Sequence, residues 1–283
     1  MTRALVDIHP HVISNDDVKY PKAPLGGVQS KWSQERPVDW EQLSAAMDEA
    51  GVTRAAVVQS STTYGHDNSY LADCVDRAGG KITGVCSVGF MDDDAIGQME
   101  HWIGERGMSG VRLFTTGSTM GQSAWLDDAK TKPAWAYAAE HRIPVCVQLT
   151  APALPQLENV LKEFPDLIVI LDHVAMSSFT DGPPYTAADP VYGLARFDGV
   201  NLKVTSRVLL SGKQSSGGSA GALRELIRHF GSDRIAWGSN YPANEGTLSS
   251  LVRLLEEATA GLGGTDADNI YSGTALRLYP KLA

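Results

Sequence analysis

The chain has 283 residues, 43% of them hydrophobic and 20% charged, with a formal net charge of −9. That length allows one large domain or two small ones, with a core that needs no disulfide or metal staple. The acidity disfavours nucleic acid as a partner, and no apolar run approaches the length of a membrane span. Cys74, Cys86 and Cys146 are widely spaced with no CxxC, and Met1-Thr2-Arg3 leads straight into a strand-like run rather than a signal peptide. A cytoplasmic location is therefore expected.

In chain order, short β-rich apolar runs alternate with amphipathic segments. The strand candidates are Ala4–His9, Arg54–Ser60, Ile82–Val88, Gly110–Phe114, Val145–Thr150, Leu167–His173, Val200–Ser206 and Ile235–Asn240. The helix candidates between and after them are Trp40–Ala50, Ser69–Ala78, Ala95–Arg106, Pro133–His141, Leu154–Phe164, a weak one at Val191–Phe197, Ala220–Phe230 and Leu248–Ala258. Such alternation implies a parallel sheet, and eight strands in this length match a single-domain (β/α)8 TIM barrel spanning residues 1–283. The alternative, a doubly wound open sheet, lacks its phosphate-binding GxGxxG or GxxxxGK[ST] loop. Two long polar connections, Ser14–Pro37 and Ser211–Gly221, leave the C-terminal ends of strands one and seven. The second, SGKQSSGGSAG, is expected to be flexible. Both are candidates to cover a substrate.

Strand alternation predicts which side chains meet. His9 and His11 flank Pro10 at the end of the first strand, and two convergent imidazoles can bind a divalent metal or position water and a carbonyl. If they point inward, so does Asp7. On the other strands the polar parity collects Gln59, Arg112, Gln148, His173, Lys203, Arg207 and Asn240, with Asp172 left on the opposite parity to His173. Most of these residues lie in the last two positions of a strand, where barrel active sites form. Lys203 and Asp7 lie deeper and are expected to pair with each other. Ser61 and Tyr64 can offer hydroxyl donors, and Trp32 and Tyr185 fall in loops that can line a pocket. His66, His101, His141 and His229 read as surface or helix-end residues.

These motifs resemble a known group. HxH on strand one, Leu171-Asp172-His173 on strand six and Trp237-Gly238-Ser239-Asn240-Tyr241-Pro242 on strand eight look like the amidohydrolase superfamily. Gln59-Ser60-Ser61, Gly65-His66-Asp67-Asn68-Ser69 and Gly110-Val111-Arg112 are similar to its amidohydrolase-2 branch, which includes 2-pyrone-4,6-dicarboxylate lactonase-like hydrolases. The resemblance implies a hydrolase of a small carboxylated lactone, in catabolism of aromatics or sugars. His9, His11, His173 and Asn240 would be its catalytic residues. Arg112, Arg207, Gln148, Ser61 and Tyr64 would bind substrate.

Two departures qualify that implication. Gln148 and Asn240 occupy the positions where metal-dependent members carry a histidine and an aspartate, so His9 and His11 are candidate zinc ligands without an anionic companion. No cofactor is required on this reading. The second arginine of the dicarboxylate lactonase has no match in Thr115-Thr116-Gly117-Ser118, which favours a substrate with one acidic group. The alternatives are a zinc-dependent decarboxylase or other hydrolase of the superfamily, and a non-catalytic ligand-binding homologue. The expected partner is a small anionic molecule; the sequence leaves the oligomeric state open.

Overall fold

A computed structural model describes residues 3–116 and 124–283; Gly117 and Ser118 of the strand-four motif lie outside them. Eight strands run parallel in sequence order: β1 (Val6–Asp7), β2 (Arg54–Val58), β3 (Ile82–Ser87), β4 (Gly110–Phe114), β5 (Val145–Gln148), β6 (Val169–Leu171), β7 (Val200–Thr205) and β8 (Ile235–Gly238). The barrel closes where the Ile8 N–H donates to the Trp237 carbonyl at 3.1 Å. This is the expected (β/α)8 barrel. Its helices keep close to the expected bounds, among them Trp40–Ala50, Ser69–Arg77, Leu154–Glu163, Gly218–Phe230 and Leu248–Thr259. Trp40–Ala50 shows why. Asp39 and Gln42 form a reciprocal capping box at its start, and Gly51 ends it in the left-handed region at φ 73°.

The outer layer is apolar: Val111, Val145, Val169, Leu202 and Trp237 pack under the helices. Inside, a smaller apolar cluster of Val6, Ala56, Val58, Val85, Ile170 and Ala236 fills the lower barrel. Its floor comes from the C-terminal segment, which the strand–helix alternation leaves unread. There Leu278, Tyr279 and Leu282 join the inner cluster, and the Tyr279 hydroxyl lies 3.4 Å from Cys146 Sγ. All three cysteines are free and buried. Among the described residues no helix is long and apolar enough to cross a membrane.

The segment expected to be flexible after β7 is instead a helical hairpin. Helix Ser206–Lys213 packs on Gly218–Phe230, close enough that a Cβ on Gly212 would meet the Ala222 methyl at 2.7 Å. Buried Val208 and Leu209 supply an apolar face that the run of glycines and serines conceals in the sequence.

Candidate functional site

Alternation places the inner residues correctly on four strands and incorrectly on three. On β4, β5, β7 and β8 the inward parity carries Arg112, Gln148, Lys203 and Gly238, as expected. On β2 it carries Ala56 and Val58, so Gln59 points away from the barrel interior and its amide donates to the Asp67 carbonyl. On β6 it carries Ile170 and therefore Asp172, which the sequence reading put on the outside. His173 reaches the site nonetheless. The strand stops at Leu171, and His173, Val174, Ala175 and Met176 all adopt left-handed φ between 52° and 59°. Four successive non-glycine residues there are strained backbone, a β-branched valine among them, and such strain concentrates at functional sites.

β1 behaves the same way. Val6 and Ile8 face inward and Asp7 does not. The Asp7 carboxylate instead accepts from the His9 N–H at 2.9 Å and the Ser239 N–H at 2.8 Å, replacing ladder bonds and ending the strand. The chain bends there, and the bend turns His9 and His11 into the barrel mouth. Asp7 does not pair with Lys203 as expected.

The partner of Lys203 is Asp172. Lys203 Nζ lies 2.8 Å from Asp172 Oδ1 and Arg112 Nε 2.9 Å from Oδ2, all essentially closed to solvent. Lys203 also lies 3.3 Å from Cys146 Sγ. Burial alone would raise the Asp172 carboxyl, but Lys203 and then Arg112 hold it well below the usual carboxylate range. Above this ion cluster stand the three histidines. The His9 ring meets His11 edge-on at 4.9 Å and His173 at 4.8 Å, and its Nδ1 lies 3.6 Å from Asp172. His9 is fully buried, and neither ring nitrogen has a hydrogen-bond partner among the described residues. His11 Nδ1 donates to the Val58 carbonyl at 2.8 Å, leaving Nε2 as a bare lone pair. His173 Nδ1 bonds Thr205 Oγ1 at 2.8 Å. Burial, then Arg112, holds the His11 imidazole down to about 3. Burial lowers His173 to about 3, against the nearby Asp172 and with help from Arg112, Lys203 and Arg207. Burial, then Lys203, puts His9 well below its ordinary range. All three are neutral at pH 7.

A cavity of about 300 Å³ opens over this cluster. His11, His173, Arg112, Arg207, Gln148, Ser61 and Asn240 line it, as expected. His9 does not; it sits behind the other two histidines. Tyr64 does not either: it is buried, and its hydroxyl accepts from the Ser14 N–H at 2.8 Å. Tyr185 packs on Phe179 away from the cavity, whereas Trp32 lines it with its ring 5.3 Å from His11. Trp32 belongs to the long connection after β1, which Arg36 pins by donating to the Pro242 and Ala243 carbonyls. The sequence reading missed Asn244, and it gave Thr205, which shares the inward parity of Lys203, no role in the site. The spacing of Asn240 and Asn244, four residues apart after a strand end, was the available signal for the first.

The cavity is cationic. Arg112 spends Nε on Asp172 and one terminal nitrogen on the Gln148 oxygen, which leaves Nη1 for a ligand. Arg207, exposed on the first turn of its helix, has no ion-pair partner among the described residues. No carboxylate lines the cavity among those residues. Two arginines facing a small cavity concentrate positive charge locally in a protein of net charge −9.

Among the described residues the three histidines have no free carboxylate beside them to complete a metal centre. No group of three or more His, Cys, Asp or Glu side chains is arranged to hold an ion among the described residues. The nearest carboxylate, Asp172, is already taken by two cations.

These pKa directions predict acid sensitivity. In the unfolded chain the three histidines protonate near 6.5, while in the folded protein they resist protonation, so stability falls as pH drops below that value. Asp7 opposes this. Burial raises its carboxyl from 3.8 to about 6, so its contribution is present at low pH and lost as pH rises through that window. Three imidazoles outweigh one carboxyl. Stability is therefore expected to decline from pH 7 to pH 5, by up to about 1.4 kcal/mol per pH unit for each histidine. Urea unfolding at pH 7, 6 and 5 checks it; a midpoint that does not move would mean the rings are hydrated.

The sequence profile of the amidohydrolase family matches residues 6–281. The chain belongs to the amidohydrolase family. Among its relatives, L-fucono-1,5-lactonase of Burkholderia ambifaria is 25% identical over 289 residues, covering 97% of this chain and 94% of that one. The 2-pyrone-4,6-dicarboxylate hydrolase of Comamonas testosteroni is 27% identical over 251 residues, covering 84% and 76%. A solved structure from Pseudomonas putida, described as a candidate 2-pyrone-4,6-dicarboxylic acid hydrolase, superposes with a TM-score of 0.81 at 21% identity over the full length of both chains. Solved structures of the same fold include one with bound zinc and one with bound manganese.

Proposed function

We propose that this amidohydrolase-family enzyme opens a small lactone that carries one carboxylate, in the catabolism of aromatic or sugar compounds. The observation that carries the reading is the cavity itself, small and lined by two arginines with no acid among the described residues. The names of two relatives, a lactonase and a pyrone-dicarboxylate hydrolase, support it. Arg207 and Arg112 hold the carboxylate end. A neutral His11 with its Nδ1 hydrogen committed to Val58 can accept but not donate at Nε2. It therefore holds the attacking water rather than polarising the carbonyl.

His173 takes the water's proton as the water oxygen bonds to the lactone carbonyl carbon, and returns it to the ring oxygen as the ring's acyl C–O bond breaks. Its basicity is suppressed in the free site partly by Arg112, Lys203 and Arg207. A bound carboxylate offsets that positive field and raises the imidazole toward its working range. Arg112 Nη1 carries two hydrogens, one for the carboxylate and the other as the donor for the developing oxyanion. His9 acts from behind, wedging His11 and His173 apart at fixed angles.

The test is hydrolysis of carboxylated lactones followed by acid release, beside their neutral methyl esters. Arg207→Ala, an exposed change that leaves the fold intact, is expected to raise KM about 10- to 100-fold, the worth of a charge-assisted hydrogen bond. Equal turnover of acid and methyl ester would overturn the reading. Binding of the carboxylated lactone without turnover would point to a ligand-binding protein instead.

A further inference from the structure

Ser61 lines the cavity, and behind it a chain of hydrogen bonds leads out of the barrel. Ser61 Oγ donates to Ser87 Oγ at 3.2 Å, and Ser87 Oγ lies 3.0 Å from His66 Nδ1. Ser87 ends β3 on the same parity as the inward Val85, directly opposite Arg112 in the register with β4. Both serines are buried. Asn68 clamps the far end. Its side-chain amide accepts from the Ser87 N–H at 2.7 Å and donates to the Ser87 carbonyl at 3.0 Å and the His66 carbonyl at 2.9 Å. His66 is half-buried and lines a separate outer groove with Asp67, Asp94 and His101. Its Nε2 has no protein partner among the described residues and is not sealed from water.

Counting hydrogens fixes the state of this chain. Neither serine hydroxyl has another hydrogen-bond partner among the described residues. Each has one hydrogen to give. Ser61 gives its hydrogen to Ser87, so Ser87 gives its own to His66 Nδ1, which must then be an acceptor. The ring is neutral with its hydrogen on Nε2, and Ser61 shows the cavity only lone pairs. A carboxylate, which only accepts, finds no hydrogen there. Protonation of His66 puts a hydrogen on Nδ1 as well. Ser87 then accepts from the ring and turns its hydrogen to Ser61, and Ser61 turns its hydrogen into the cavity. Only hydrogens rotate. Burial holds the His66 imidazole below its ordinary range, against the pull of Asp92, so the empty site rests in the accepting sense at pH 7. On the groove side Asp67 and Asp94 also face the ring, while His101 is tied to Glu105 at 2.7 Å; no lysine or arginine lines the groove among the described residues.

We propose that His66 is a positioning residue: through Ser87 it sets the direction of the Ser61 hydroxyl, so that a substrate carboxylate held by Arg112 and Ser61 binds together with a proton taken up at His66. This rests on the carboxylate site of the reading above and adds the residue that tunes it. The coupling is reciprocal. Whatever a protonated His66 adds to carboxylate affinity, the carboxylate adds to the proton affinity of His66.

The probe is 3-oxocyclohexane-1-carboxylate, a carboxylated cyclic ketone that resembles a lactone and cannot be hydrolysed. The His66 Cε1–H signal is followed by NMR from pH 5.5 to 8, free and saturated with probe, and is assigned by its loss in His66→Asn. Binding is expected to raise the His66 titration midpoint by about one pH unit, the tenfold gain that a hydroxyl hydrogen bond to a charged group supplies at the low end of its range. Ser87→Ala removes the middle of the chain and leaves both ends. It is expected to cut that rise to less than about a third, the remainder being attraction through space screened by salt. Ser61→Ala cuts the chain at the cavity end and serves if the Ser87 variant does not fold. A midpoint that stays put with the probe bound, or a rise that survives the cut chain, overturns the inference and leaves the carboxylate site standing. If the probe does not bind at any pH, the carboxylate site falls and the inference with it.

Discussion

Replacing Asp172 with alanine is expected to cost about 3–5 kcal/mol of stability, the usual penalty for removing one partner of a buried ion pair. The carboxylate is the shared counter-ion of Lys203 at 2.8 Å and Arg112 at 2.9 Å. Without it, an ammonium and a guanidinium face each other and three neutral imidazoles in a site closed to water. Urea unfolding at pH 7 measures the loss. A change under about 1 kcal/mol would show that solvent reaches Lys203. The double change Asp172→Leu with Lys203→Met removes one of the two cations together with the carboxylate and is expected to recover only part of the stability, because Arg112 still lacks its counter-ion. Activity is expected to stay absent, because Arg112 loses the bond that aims it. Recovery of activity in the double variant would confine Asp172 to structure.

Replacing His173 with alanine is expected to lower kcat on a carboxylated lactone by about 10²–10⁴-fold, the range associated with loss of a general base. KM should change only a few-fold, because the carboxylate contacts lie on Arg112 and Arg207. The fold should persist, since the ring's only side-chain hydrogen bond among the described residues is to the Thr205 hydroxyl. A kcat within tenfold of wild type would remove His173 from the chemistry. His11 would then be the remaining lone pair on the cavity wall.

Much of the architecture is legible before any coordinates. The alternation of β-rich and amphipathic runs places the strands to within two residues at most ends and identifies the barrel. Polar residues at strand ends mark its mouth: Arg112, Gln148, His11, His173, Asn240, Arg207 and Ser61 all meet at one cavity. Tyr64 is the exception among the expected binding residues, because a hydroxyl beside a strand end reads the same whether it faces a cavity or a neighbouring backbone N–H.

Two of the three parity errors, on β1 and β6, share one cause. Reasoning by parity assumes that a strand continues through the functional residue. β1 stops at Asp7 because the Asp7 carboxylate caps the seam with β8. β6 stops at Leu171 because the chain enters a left-handed turn at His173. In both places the histidine reaches the site by leaving the strand, so counting back from it assigns the wrong neighbours. Asp172 was lost to the site, and Asp7 was given to Lys203, for that reason.

The sequence by itself determined the class of fold, the family pattern and the inventory of groups at the barrel mouth, because hydrophobic periodicity and residue type are local properties. The tertiary structure decided which groups touch. It joined Asp172 to Lys203 and Arg112, set His9 behind His11 and His173, and brought Trp32, Asn240 and Asn244 to the same cavity. Those contacts depend on where strands end and how loops return. Such breaks are fixed by hydrogen bonds between residues as far apart in the chain as Asp7 and Ser239, and no local pattern records them.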